Sequence, residues 1–304
     1  MKKSISFLLS ICLTLAFTGC STGNQMNGAG KTEIKVYASI YPVYDFAKKI
    51  GGDRINLKCI VPSGTEPHDW EPASTDIANL EKADVFLYNG AGMEQWAEKV
   101  TKSIKNKNIV ISEVSKGIEL LTEKSEGKAE TQSDPHVWLN PQNAKIEMEN
   151  IKNALEKADP QNQDFYEQNY SDCSRQLDEL DKEFKDTLST LPGKDVIVAH
   201  QAFGYLCSAY GLNQVAIEGL TADSEPDPAK MAEIIDYVKK NNIKVIYYED
   251  LINPKVAKSI ADATGANTMA LNPVEGLTDD QQASGLEYFS VMRSNLSALS
   301  QGLR

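Results

Sequence analysis

Histidine is nearly absent: only His68, His136 and His200 occur in 304 residues. Of the five cysteines, Cys12 and Cys20 fall in the N-terminal stretch. The remaining Cys59, Cys173 and Cys207 have no C-x-x-C spacing, which argues against a zinc knuckle or a redox pair. An odd number cannot all pair within the chain, so they read as small buried hydrophobes. There is no H-E-x-x-H and no evident oxyanion device, which argues against a zinc hydrolase. Basic charge is also short. Lys and Arg number 31 against 43 Asp and Glu, giving a net charge of −12. A body this acidic repels phosphate backbones, so nucleic acid is not an expected partner.

A long apolar run is missing after residue 17. The run from Ile5 to Phe17, behind Lys2 and Lys3, is shorter than the ~20 residues a membrane span needs. It reads as a signal peptide over residues 1–19. Thr18-Gly19-Cys20 follows a lipobox pattern, with Phe17 at a place usually taken by an aliphatic residue. Cys20 is thus the expected lipidation site, and residues 20–31, rich in Gly, Asn, Ser and Thr, form a flexible tether.

What is present beyond the tether is β/α alternation. Strands are expected at Ile34–Ile40, Ile55–Val61, Asp84–Tyr88 and Asn108–Ile111, with helices between them. Ser74 is placed to cap the helix that follows it, and 122–133 reads as a polar surface loop. Asn140-Pro141 and Asp159-Pro160 each give an N-cap followed by proline at the first helical position. From Phe165 to Leu191, apolar residues at steps of three and four sustain one helical face over about thirty residues. Alternation restarts after Leu191-Pro192-Gly193, with strands at Asp195–Ala199, Gln214–Ile217, Ile243–Tyr248 and Asn267–Leu271, and a closing helix from Tyr288. The expected fold is α/β. Two similar lobes, 32–158 and 192–304, each hold a mostly parallel four-stranded sheet with flanking helices. One long rigid helix, 159–191, joins them.

Ligands of open parallel sheets bind beyond the carboxyl ends of the strands. His200 and Glu275 follow strands of the second lobe; His68 and His136 follow strands of the first. Three neutral imidazoles and one carboxylate suit a four-coordinate zinc ion in the inter-lobe cleft, whereas manganese prefers more carboxylate oxygen. Spacing leaves Glu66, Asp69 and Glu249 as rivals of Glu275 for the fourth place.

Four segments together resemble the metal-binding lipoproteins of bacterial ABC importers. They are Gly64-Thr65-Glu66-Pro67-His68-Asp69-Trp70-Glu71-Pro72, Asp134-Pro135-His136-Val137-Trp138-Leu139-Asn140-Pro141, Ala199-His200-Gln201-Ala202-Phe203-Gly204-Tyr205 and Leu271-Asn272-Pro273-Val274-Glu275-Gly276-Leu277-Thr278. The resemblance runs from about Lys35 to the C-terminus. It implies two α/β lobes joined by a long helix, and a metal held by His68, His136, His200 and Glu275. Zinc carriers of that family have histidine at the third place, where manganese carriers typically have an acid, so His200 points to Zn2+ as the cargo. Many zinc carriers also have a histidine-rich loop before the second ligand. Here 122–133 has none and is not expected to gather further zinc. The implied protein is a monomeric receptor outside the cell membrane, lipid-anchored at its N-terminus, delivering zinc to an ABC permease. A manganese receptor of the same family and a zinc hydrolase are the alternatives.

Overall fold

Two parallel sheets of identical topology organise the chain. The computed structural model describes residues 33–124, 131–220 and 228–304. The signal segment, tether and Cys20 lie outside the described residues, as does the middle of the 122–133 segment.

The first sheet is ordered β2-β1-β3-β4, built from β1 (Ile34–Ala38), β2 (Ile55–Cys59), β3 (Val85–Tyr88) and β4 (Val110–Glu113). Every pairing is parallel, with Ile34 opposite Ile55, Val36 opposite Val85, and Val85 opposite Val110. The second sheet is ordered β10-β9-β7-β8, from β7 (Asp195–Val198), β8 (Asn213–Ala216), β9 (Val245–Tyr248) and β10 (Asn267–Ala270). Counted from its own first strand, each sheet runs second, first, third, fourth. The chain crosses in opposite directions on either side of the first strand, which opens a crevice at the carboxyl ends of the first and third strands.

Helices α1 (Tyr41–Gly51), α2 (Ser74–Leu80), α3 (Ala97–Ser103) and α4 (Pro141–Ala158) accompany the first sheet. The Asn140 side chain accepts from the Gln142 amide and caps α4, as expected. Ser74 does not cap α2. It is the first helical residue, and the Asp76 carboxylate instead accepts from the amide of Ala73 at 2.9 Å. The two ends of the segment expected as a polar surface loop pair as a short antiparallel ribbon, with β5 (Thr122–Lys124) against β6 (Thr131–Ser133).

The long helix is α5, Gln163–Leu188, preceded by a 3-10 turn at Pro160–Asn162. Its 26 residues span about 39 Å at the standard rise. It buries Tyr166, Cys173, Leu177, Leu180, Phe184 and Leu188. It packs on α1 and α4 of the first half. In the second half it packs on α6 (Gly204–Tyr210) and α10 (Tyr288–Gly302). One continuous apolar cluster therefore runs from Val36 and Phe46 through Leu177 and Phe184 to Tyr288 and Leu303. The second half is completed by α7 (Pro228–Lys240), α8 (Lys255–Thr264) and α9 (Asp279–Ala283), a short helix capped by Thr278 that was not expected. No helix among the described residues is long and apolar enough to cross a membrane. Cys173 and Cys207 are buried free thiols, and burial pushes Cys207 up to about 12.

Candidate metal centre

All three histidines and Glu275 meet at one buried point. Each contributes one donor atom, and the four atoms lie within 4.8 Å of one another. His136 and His200 are inaccessible to solvent, and His68 and Glu275 nearly so. Glu275 Oε1 lies 2.7 Å from His136 Nε2, 3.2 Å from His200 Nε2 and 3.4 Å from His68 Nε2. His136 Nε2 lies 3.1 Å from His68 Nε2 and 3.4 Å from His200 Nε2. The edge of a regular tetrahedron around zinc, with bonds of about 2.05 Å, is about 3.3 Å. Five of the six donor separations, at 2.7–3.4 Å, lie at or somewhat below that edge.

Strand register explains the second-half geometry. Ile197 of β7 pairs with Ile246 of β9. Three residues past that pair, the chain supplies His200 on one side and Glu249 on the other. The Glu249 carboxylate accepts from His200 Nδ1–H at 2.7 Å and from the His200 amide at 3.3 Å. The first half repeats the device within one loop: Asp134 Oδ1 accepts from His136 Nδ1–H at 2.7 Å and from the His136 amide at 2.9 Å. A carboxylate can only accept, so each ring keeps its proton on Nδ1 and, in its neutral form, turns the Nε2 lone pair to the centre. Asn89 Nδ2 also donates to the Pro135 carbonyl at 2.9 Å.

The rivals for the fourth place are thereby sorted. Glu249 is occupied behind His200. Glu66 accepts from the His68 amide at 3.1 Å, and its carboxylate stands 4.0 Å from His68 Nε2. Asp69 is exposed. Only Glu275 joins the three Nε2 atoms.

The family model for zinc-uptake complex component A, periplasmic, matches residues 36–302. The chain belongs to that family. A relative from Bacillus subtilis (strain 168), the high-affinity zinc uptake system protein ZnuA, is 39% identical over 313 residues, covering 99% of this chain and 98% of the relative. The zinc-binding lipoprotein AdcA of Streptococcus pneumoniae (strain ATCC BAA-255 / R6) is 36% identical over 308 residues. The match takes in 98% of this chain but spans only 61% of AdcA. The crystal structure of the Zn(II)-bound ZnuA-like domain of Streptococcus pneumoniae AdcA matches with a TM-score of 0.79 at 36% identity, covering 89% of this chain and 99% of that one.

In this component A family member, the supporting carboxylates were the residues that sequence reasoning missed. Asp134 was quoted only as part of a motif, and Glu249 was weighed as a ligand. The available signals were the Asp-x-His spacing and the matched positions of Glu249 and His200 past two strands. Gly204 has a comparable hidden role. A Cβ there would sit 2.6 Å from Asp134 Oδ2. Asp134 is buried and committed to His136, so it cannot yield without releasing the ring. Tyr205, the next residue, donates its hydroxyl to the Asp134 carbonyl at 3.0 Å. Gly204→Ala should weaken metal binding about 10- to 100-fold, the usual cost of disturbing a ligand's hydrogen-bond partner; a chelator-competition titration measures it.

Charge coupling sets the pH response. Burial alone would lower the His136 pKa, but the hydrogen bond and charge of Asp134, then those of Glu275, outweigh it and raise it to about 9. His200 is likewise raised against burial, by the charges of Glu249 and Glu275 and by hydrogen bonds to both. Burial would raise Glu275, but the His200 charge and hydrogen bonds from His136, His200 and His68 hold it well below the usual carboxylate range. With Glu275 beside it and no ion bound, the His136 imidazolium stabilises the fold fully below its unfolded pKa of about 6.5, and that contribution is lost as pH rises through about 9. An entering cation must displace the proton. Its apparent affinity should climb at least about tenfold per pH unit below the His136 pKa. Titrations across that range, corrected for buffer binding, test this; a flat profile would count against it.

Proposed function

We propose that this chain is the extracytoplasmic receptor of a bacterial zinc importer. It captures Zn2+ with His68, His136, His200 and Glu275 and passes it to an ABC permease. The observation that carries this reading is the buried cluster of three imidazole nitrogens and one carboxylate oxygen. Its nitrogen-rich chemistry favours zinc over manganese, which suits oxygen ligands. The relatives, a zinc uptake protein and a zinc-binding lipoprotein by name, support the same cargo. Four protein ligands close a zinc shell, which suits carriage better than hydrolysis, where a position stays open for water.

In the same reading, residues 1–19 are a signal peptide, Cys20 carries lipid at the membrane, and residues 20–31 form the tether. Residues 32–158 and 192–304 are the lobes, with 159–191 as the link, and the protein acts as a monomer. Equilibrium dialysis of the metal-stripped protein tests the receptor role. One zinc ion per chain supports it; no bound zinc, or several equivalent ions, sinks it.

The continuous packing of α5 against both halves has a mechanical consequence. Loading and release should proceed through small movements, because a wide hinge would tear open one apolar cluster. Small-angle scattering of zinc-free and zinc-loaded protein should give radii of gyration within about 1 Å of each other, against an expected size of about 19 Å for a body of this length. A change of several ångströms would contradict a rigid link.

A further inference from the structure

The backbone immediately before Glu275 is strained. Among the described residues, three other than glycine have positive φ: Ala91 at 53°, Asn242 at 55° and Val274 at 62°. Asparagine adopts this left-handed region readily and alanine has only a small Cβ. A β-branched valine is a genuine outlier there. Val274 is also fully buried.

Neighbouring contacts fix both ends of the turn. The Val274 amide donates to Asn272 Oδ1 at 2.7 Å. Asn272 is pinned to α10, its amide donating to Asn295 Oδ1 at 2.9 Å and its carbonyl accepting from Asn295 Nδ2 at 2.7 Å. Trp138, two residues beyond His136, donates its indole N–H to the Pro273 carbonyl at 2.7 Å. At the far end, the Leu277 carbonyl accepts from the Gly64 amide at 3.1 Å and from Ser63 Oγ at 2.8 Å. Between these anchors, Glu275 is drawn inward by the three imidazoles. Glu275, Gly276 and Leu277 also line a pocket of about 340 Å³, together with Tyr44, Cys59 and Thr65. The turn has space into which it can relax.

We propose that Val274 is a positioning residue whose strained conformation is coupled to the ion. The turn is held left-handed while Glu275 ligates and relaxes toward the pocket when the ion leaves, so that strain eases release. This rests on the zinc-receptor reading above.

The test compares Val274→Ala, which keeps a Cβ in the left-handed region, with Val274→Gly, which removes it. Val274→Asn is a third variant, because asparagine also tolerates that region. A left-handed Cβ costs about 1–2 kcal/mol. The glycine variant should therefore bind zinc roughly 5- to 30-fold tighter than the alanine variant, and release it to a chelator correspondingly more slowly. The asparagine variant should also bind tighter than the alanine variant.

Without zinc, where the turn is relaxed, glycine should melt at or below alanine because of its greater chain freedom. Zinc should reverse that order. Equal zinc affinities and release rates in the alanine and glycine variants would overturn the proposal. So would a glycine variant melting above alanine in the absence of zinc, which would mark permanent strain unrelated to the ion. Wild-type protein is measured alongside. If it binds no zinc, the receptor reading fails; if it binds and the variants do not differ, only this inference fails.

Discussion

Replacing Glu275 with alanine should weaken zinc binding roughly 10²- to 10³-fold, since about 10–16 kcal/mol for a closed zinc site shared over four ligands leaves roughly 3 kcal/mol each. Glu275 is the hub of the donor set, with its Oε1 between 2.7 and 3.4 Å from all three Nε2 atoms. Removing it leaves three buried imidazoles facing a divalent charge with no carboxylate among the donors. Asp134→Asn and Glu249→Gln should cost less, about 10- to 100-fold, because they loosen and re-orient a ring without deleting a ligand. Competition against chelators of graded strength measures all three. The ordering also separates carriage from hydrolysis: an enzyme using an open position would keep its metal after Glu275→Ala. Equal effects of Glu275→Ala and Glu249→Gln would undermine the assignment of one as ligand and the other as support.

Zinc should also raise the melting temperature substantially. An ion bound by the folded chain alone stabilises it by about 4.1 kcal/mol at a thousandfold excess over Kd. At roughly 2–4 °C per kcal/mol for a chain of this size, the shift is about 8–16 °C. The donors come from both halves, so the ion cross-links regions nearly as distant in sequence as His68 and Glu275. Differential scanning calorimetry of stripped and reloaded protein measures the shift. A change below about 2 °C at saturating zinc would indicate binding to the unfolded chain or to a peripheral site.

The part of this centre legible in the sequence was the part set by residue scarcity and strand ends. Three histidines in a long chain, each after a strand, must either scatter or converge, and parallel-sheet geometry favours convergence. His68, His136 and His200 were readable on that ground. Glu275 was favoured by its strand-end position only narrowly, with Glu66, Asp69 and Glu249 as rivals; its segment's resemblance to a known motif strengthened the choice. The work of Asp134 and Glu249 was hidden for a further reason. It depends on where a carboxylate points, which the register of β7 against β9 determines and periodicity does not encode.

The fold followed the same division. The eight sheet strands were visible as β-branched runs between turn residues, and α5 as a sustained apolar stripe. The strand ends moved by no more than two residues, in several cases because apolar runs continue past the last ladder hydrogen bond. The ribbon of β5 and β6 was invisible because three polar residues a side carry no alternation to detect. Ser74 misled because a hydroxyl at the start of a helix reads as a cap, whereas Asp76 supplies the hydrogen bond.

The most direct test of the account is a paired titration of the metal-stripped protein with zinc and with manganese, following bound ion per chain and melting temperature together. The account predicts saturation at one zinc ion, a rise of about 8–16 °C, and a smaller manganese response that zinc abolishes on addition. A manganese response equal to or larger than that of zinc would contradict it.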